Sequence, residues 1–339
     1  MRTMKKMLAG AVALTMALTM NVAVFAQDAP GKVEEGTTKT TITKKYQTTA
    51  GVDAKVTPAE SLNFTVTPDS NNPNKDKLIS ISKNANSNQI VVDYSALENA
   101  DVGLYTFTVN EETGNTQGVS YNTGTYTVNV MVSWADDTHK TKKVTSEIKD
   151  STTGQKIGGN DAPIINTFDY GSLAVSKQVT GNLSDKKDTF NVTVTFTSEE
   201  GKVVNNVISY TDGTEQKTIA ATDWSNGTAT ATITLTDDET VTFTGIPAGV
   251  TYEVEEDSKY QTGSVNTPNY GYDIPIYTYS DDTNKKISAD ETDTVEITNN
   301  KGSNIDTGIT TDSLPYLLIA AGVVAGGAVL VTRRRRFDD

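Results

Sequence analysis

The chain has 339 residues, a formal net charge of −14, one histidine and no cysteine. A strongly negative surface repels nucleic acid. The missing Cys and the lone His139 exclude disulfide staples, the usual acyl-transfer triads and zinc sites of clustered His and Cys, so no metal or cofactor is expected.

Met1 to Ala26 opens with Arg2, Lys5 and Lys6, runs through apolar residues to Phe25, and ends on small residues at Val24 and Ala26. This pattern predicts a cleaved secretory signal peptide and an exported protein. From Gln27 to Thr307 the chain carries 22 Lys, no Arg and 40 Asp plus Glu, a formal charge of −18. That length suits two domains of ordinary size.

β-Branched residues alternate with polar ones through Tyr126-Thr-Val-Asn-Val-Met-Val, Phe190-Asn-Val-Thr-Val-Thr-Phe and Ala229-Thr-Ala-Thr-Ile-Thr-Leu, with Gly, Asn and Asp turns between. Period-2 patterning of this kind predicts an all-β fold of sandwiches. Two units of similar plan are expected, over 38–170 and 171–300.

Each unit opens on a strand whose lysine falls out of pattern. Lys44 shares a face with Ile42 and Tyr46, and Lys177 shares one with Leu173, Val175 and Val179, because alternate strand residues point the same way. A middle strand places a glutamate on the apolar face: Glu111 in phase with Tyr105, Phe107 and Val109, and Glu256 with Tyr252 and Val254. The closing strand does the same with an asparagine, Asn166 beside Ile164 and Phe168, and Asn299 beside Val295 and Ile297. Lysine and asparagine are 122 positions apart in both units (44 to 166 and 177 to 299). Lys45 and Asn300 fall on the outer faces and are set aside.

Burial disfavours the ammonium form, leaving a neutral amine able to attack. A buried carboxyl group has its pKa raised and can shuttle protons. The asparagine carboxamide is then the electrophile and ammonia the leaving group. Held proximity supplies the effective concentration that an unactivated amide needs. The expected products are two Lys–Asn isopeptide bonds, Lys44–Asn166 assisted by Glu111 and Lys177–Asn299 assisted by Glu256.

After a 301–312 linker, Ser313 to Thr332 is uncharged and long enough to cross a membrane as a helix, and Arg333 to Arg336 lead the 333–339 tail, as on a cytoplasmic side. Ile305-Asp306-Thr307-Gly308-Ile309 precedes the span. Motif, span and basic tail together resemble a sortase sorting signal. That resemblance implies cleavage between Thr307 and Gly308, transfer of the Thr307 carbonyl to an amine, and only transient membrane anchoring.

The first unit carries Thr41-Ile-Thr-Lys44, Gly103-Leu-Tyr-Thr-Phe-Thr-Val-Asn-Glu111 and Gly118-Val-Ser-Tyr-Asn-Thr-Gly-Thr-Tyr-Thr-Val-Asn-Val. The second carries Leu173-Ala-Val-Ser-Lys177-Gln-Val-Thr-Gly181, Phe243-Thr-Gly-Ile-Pro-Ala-Gly-Val-Thr-Tyr-Glu-Val-Glu-Glu256 and Val295-Glu-Ile-Thr-Asn299. At these residues the chain resembles the backbone pilins of streptococci, a pilin isopeptide-linkage domain followed by a Cna-B-like domain. The resemblance implies two tandem Ig-like sandwiches whose matching Lys, Glu and Asn form autocatalytic isopeptide bonds. It further implies a structural, non-enzymatic subunit of a cell-surface pilus. A class C sortase would join identical subunits head to tail, a housekeeping sortase would attach them to peptidoglycan, and minor tip and base pilins would complete the fibre. The intersubunit acceptor implied by position is Lys156, with Lys149 the runner-up. The alternative is a monomeric wall-anchored adhesin or stalk built from the same domains.

Asp69-Ser-Asn-Asn-Pro-Asn-Lys-Asp and Asp281-Asp-Thr-Asn are rich in oxygen but lack the spacing of a calcium loop. His139 is expected in a surface loop, and Trp134 and Trp224 as core or edge aromatics.

Overall fold

A computed structural model describes residues 38–74, 79–137, 139, 142–158, 162–257, 271–281 and 283–302. The expected signal peptide, Thr307 and Gly308, the apolar span and the basic tail lie outside the described residues. Among the described residues, no helix is long and apolar enough to cross a membrane.

Nine strands precede residue 169: β1 (Lys39–Gln47), β2 (Leu62–Pro68), β3 (Ser80–Lys83), β4 (Gln89–Asp93), β5 (Gly103–Glu111), β6 (Val119–Ser120), β7 (Thr125–Trp134), β8 (Lys142–Asp150) and β9 (Ile164–Phe168). They are hydrogen-bonded in the order β6-β9-β1-β4-β3-β2-β5-β7-β8. The run is continuous because two strands change partner along their length. β1 pairs with β4 up to Thr43 and with β9 from Lys44, and β2 pairs with β3 up to Asn63 and with β5 from Phe64. The core buried by these strands includes Ile90, Leu97, Tyr105, Phe107 and Val130. Burying a side chain of the size of Phe107 stabilises the fold by about 1.5–3 kcal/mol.

The remaining strands are β10 (Tyr170–Thr180), β11 (Phe190–Thr197), β12 (Ile208–Asp212), β13 (Glu215–Ile219), β14 (Thr228–Leu235), β15 (Thr240–Pro247), β16 (Thr251–Glu256), β17 (Ile276–Tyr279) and β18 (Thr292–Asn300). They form a six-stranded sheet, β13-β12-β15-β10-β18-β17, and a three-stranded sheet, β14-β11-β16. Alternation explains each face: in β11, Phe190, Val192, Val194 and Phe196 are buried, with Asn191 and Thr193 outside. Phe196 and Tyr210 pack against Phe243, with ring centroids 5.3 and 4.6 Å away. The lead into β14 is turned by Asn226 and Gly227, both at positive φ, between the paired Ser225 and Thr228. An Asn-Gly pair suits that left-handed geometry.

In both halves the first and last strands run parallel and adjacent. Lys44 is opposite Ile164 and Tyr46 opposite Asn166, while Lys177 is opposite Ile297 and Val179 opposite Asn299. Each lysine therefore stands one diagonal step, two residues in register, from its asparagine on the same face. A four-carbon side chain can span that step.

The two halves meet over a hydrogen-bonded seam. Thr116 bridges Val203, the Gln117 N–H donates to the Val203 carbonyl at 2.8 Å, and the Val203 N–H donates to the Asn115 carbonyl at 3.0 Å. Gln117 Nε2 reaches the Ala248 carbonyl at 2.8 Å. Gly249, at φ +90, lies against this side chain, where an added Cβ would stand 2.6 Å from Gln117 Nε2. Only glycine suits both that backbone conformation and that approach.

Candidate functional site

Phase alone predicts three inward polar residues per unit, and all six are buried: Lys44, Glu111 and Asn166, and Lys177, Glu256 and Asn299. They meet as two triads. In the first, Lys44 Nζ donates to Glu111 Oε2 at 2.6 Å and Asn166 Nδ2 donates to Glu111 Oε1 at 2.5 Å. In the second, Lys177 Nζ and Glu256 Oε2 are an ion pair at 3.1 Å, and Asn299 Nδ2 donates to Glu256 Oε1 at 2.6 Å. One carboxylate thus holds an amine and a carboxamide together in each core. Lysine and glutamate side chains are wholly shielded from solvent in both.

Burial lowers the Lys44 pKa to about 8, against the opposing pull of Glu111. It also pushes Lys177 down and the Glu256 carboxyl up. Neutral amine and protonated carboxyl are the forms that burial favours.

The surroundings differ. In the first triad the Asn122 N–H donates to Asn166 Oδ1 at 2.9 Å, so the carboxamide oxygen is already polarised. In the second, Asn299 Oδ1 is buried and accepts no hydrogen bond among the described residues. Lys177 Nζ lies 4.3 Å from the centroid of the Phe190 ring and donates weakly to the Ile297 carbonyl at 3.4 Å.

Beside the first triad is a second buried polar group that strand phase does not reveal. Glu60 lies in the loop between β1 and β2. Its carboxylate accepts from Tyr46 Oη (2.6 Å), Thr116 Oγ1 (2.5 Å) and Tyr121 Oη (2.6 Å). Lys83 Nζ donates to the Glu60 carbonyl at 2.7 Å, and its charge opposes a second ammonium at Lys44. Glu60 gives no signal in the sequence, since a loop residue has no strand phase. Lys83 does give one: it is in phase with Ile79 and Ile81, the pattern that marks Lys44. Lys44, Lys45, Asp53 and Lys83 border a cleft of about 600 Å³.

The other candidates lie apart. Lys45 and Asn300 make polar contacts on the outer faces, to Asp53 and Asp273. Lys149 and Lys156 are bridged across a turn, and both pair with Glu147, at 2.8 and 3.0 Å. Lys156 is the more open, with its side chain 56% exposed against 19% for Lys149. His139 is exposed and stacks on the half-open Trp134; Trp224 packs partly buried against the second core.

Comparison with known proteins gives the class. Residues 171–301 match a family described as a domain of unknown function, DUF7601. A pilin of Streptococcus pyogenes serotype M1 is 29% identical over 257 residues, which are 74% of this chain and 73% of that protein. The pilus tip adhesin Cpa of Streptococcus pyogenes is 36% identical over 142 residues, 41% of this chain and 18% of the adhesin. Among solved structures, the major pilin T-13 of Streptococcus pyogenes aligns with a TM-score of 0.46 and 18% identity, covering 78% of this chain and 97% of that one. Over about three quarters of its length the chain is thus similar to a streptococcal pilin.

Proposed function

We propose that this protein is the shaft subunit of a surface pilus, and that each of its two units, 38–170 and 171–300, is locked by a self-made isopeptide bond. The observation that carries the reading is the repeated triad: one buried glutamate bonded to both a lysine and an asparagine, twice, with the same register between first and last strands. The match to a pilin along three quarters of the chain supports the structural role.

In the first unit the neutral Lys44 amine attacks Cγ of Asn166. Charge developing on Oδ1 is met by the Asn122 N–H. Glu111 shuttles the proton, giving one to Nδ2 and taking one from the attacking nitrogen. The Cγ–Nδ2 bond then breaks, and ammonia leaves as the Nζ–Cγ amide forms. Lys177, Asn299 and Glu256 take the same roles in the second unit. Each bond ties first strand to last across a loop of about 120 residues, worth roughly 4–5 kcal/mol on the chain-entropy account of cross-links. Tension applied at the two ends of a unit would then pass through adjacent parallel strands and leave the intervening strands unloaded.

Assembly follows from the sorting signal. A class C sortase cleaves between Thr307 and Gly308 and passes the Thr307 carbonyl to a lysine of the next subunit. Lys156 is the acceptor, and its greater exposure relative to Lys149 supports that choice. A housekeeping sortase then fixes the fibre to peptidoglycan at the cell wall, with minor pilins at tip and base.

Wall extracts boiled in SDS test the polymer. Lysine-linked subunits give a ladder of high-mass bands that collapses to monomer in Lys156→Arg and persists in Lys149→Arg. A single band from the unaltered protein contradicts the shaft reading and favours a singly anchored stalk.

A further inference from the structure

The seam between the halves reaches into the first triad. Glu60 is the hub. Tyr46, one of its three hydroxyl donors, is the register partner of Asn166 and carries its ring 5.9 Å from Lys44 Nζ. Tyr121, the second, directly precedes Asn122, whose N–H holds the Asn166 oxygen. The half-buried Tyr121 hydroxyl, its pKa pushed up to about 12 by burial and by Glu60, stays protonated and can only serve that carboxylate as a donor. One carboxylate therefore fixes the neighbours of both reacting groups.

The third donor, Thr116, is itself held from the other half of the molecule. Asn205 Nδ2 donates to Thr116 Oγ1 at 2.9 Å, leaving the threonine proton free to point at Glu60. The Asn205 carbonyl accepts from the N–H of Ala59 at 2.7 Å, the residue before Glu60. Asn205 thus grips the hub from both sides. The segment it grips begins only a few residues beyond Glu111, the end of β5. In the second triad Glu256 meets Lys177 and Asn299, and its N–H donates to the Tyr277 hydroxyl, all within one half.

We propose that Asn205 is a positioning residue for the first cross-link, so that Lys44 and Asn166 join at full rate only after the second half has docked. The proposal rests on the isopeptide reading above. It orders the two reactions: the second unit closes by its own contacts, and the first waits for it. Cross-linking of the first unit then records that the seam was correctly made, before the subunit enters a fibre.

The test is a time course in cells. The full chain is pulse-labelled, trapped in denaturant at intervals and digested, and joined peptides containing Lys44–Asn166 and Lys177–Asn299 are counted separately. Asn205→Ala and Thr116→Val should each slow the first bond by about tenfold or more, the scale on which lost orientation slows a reaction between held groups. The second bond should keep its rate, which shows that the chain still folds. Asn205→Asp, which keeps the size and loses the donor, should behave as Asn205→Ala. A first bond formed at the native rate in the Asn205 variants overturns the proposal, as does equal slowing of both bonds. An unaltered chain that forms neither bond overturns the isopeptide reading, and this inference with it.

Discussion

The two triads share residue types, register and burial, and differ in almost everything around them. The first is set in polar surroundings: a backbone donor on the carboxamide oxygen, a second buried lysine, and a carboxylate tied to two tyrosines and to the opposite half of the molecule. The second is set in apolar surroundings, with an aromatic ring near the amine and a carboxamide oxygen that has no partner among the described residues. The common part is what proximity and proton transfer require. The variable part is how each core satisfies polar atoms that it has taken from water. Asn299 Oδ1 has no partner among the described residues, and a buried oxygen without a hydrogen bond costs roughly 1–3 kcal/mol.

The largest effect should come from removing either glutamate. Glu111→Ala or Glu256→Ala abolishes the bond in its own unit and spares the other, adding back about 17 Da of ammonia per lost bond. Each loses the closed loop, about 4–5 kcal/mol, and strands a buried lysine, about 3–5 kcal/mol more. Calorimetry of the full chain should show one transition falling sharply. Glu111→Ala should be the more damaging, because Lys83 and Lys44 then face each other without it. Equal loss from both would remove that distinction.

A smaller effect should separate the triads by their oxygen donors. Asn122→Pro deletes the N–H that meets Asn166 Oδ1 and should slow the first bond by about 10²–10³-fold, as removal of an oxyanion donor does. The Lys177–Asn299 rate should not move. If the first bond keeps its rate, that donor has no part in the reaction.

The mildest test is pH. The attacking species is the neutral amine, and the folded pKa of Lys44 is lowered to about 8. Below that pH the lysine binds a proton, so the first bond should slow by about tenfold per unit and level off above it. The linkage to stability has the matching sign. In Asn166→Ala, where Lys44 stays unreacted, the folded chain holds fewer protons than the unfolded chain between about 8 and 10.5. Stability from this group should therefore rise with pH across that window.

Strand phase makes the triads legible from the order of residues alone. A residue such as Lys177, in step with Leu173, Val175 and Val179, has no exit to water if its neighbours are buried. The parallel pairing of first and last strands, which brings Lys177 beside Asn299, is implied only through the equal spacing of the two pairs. The rest is illegible for physical reasons. Glu60 lies in a loop, where no periodicity assigns a face. The Asn122 donor is a main-chain N–H, which every residue but proline carries, so no side chain announces it. The partner switches of β1 at Lys44 and of β2 at Phe64 depend on long-range pairing; together they join nine strands into one continuous run. Lys83 is the exception, since the phase argument that marks Lys44 applies to it equally.

The central claim is that both triads react. Intact mass of the folded chain, followed by peptide mapping, tests it directly. The account predicts a chain about 34 Da lighter than its processed sequence, two ammonia equivalents, with joined peptides at Lys44–Asn166 and Lys177–Asn299. A mass equal to that of the sequence, with all four residues recovered on separate peptides, would contradict it.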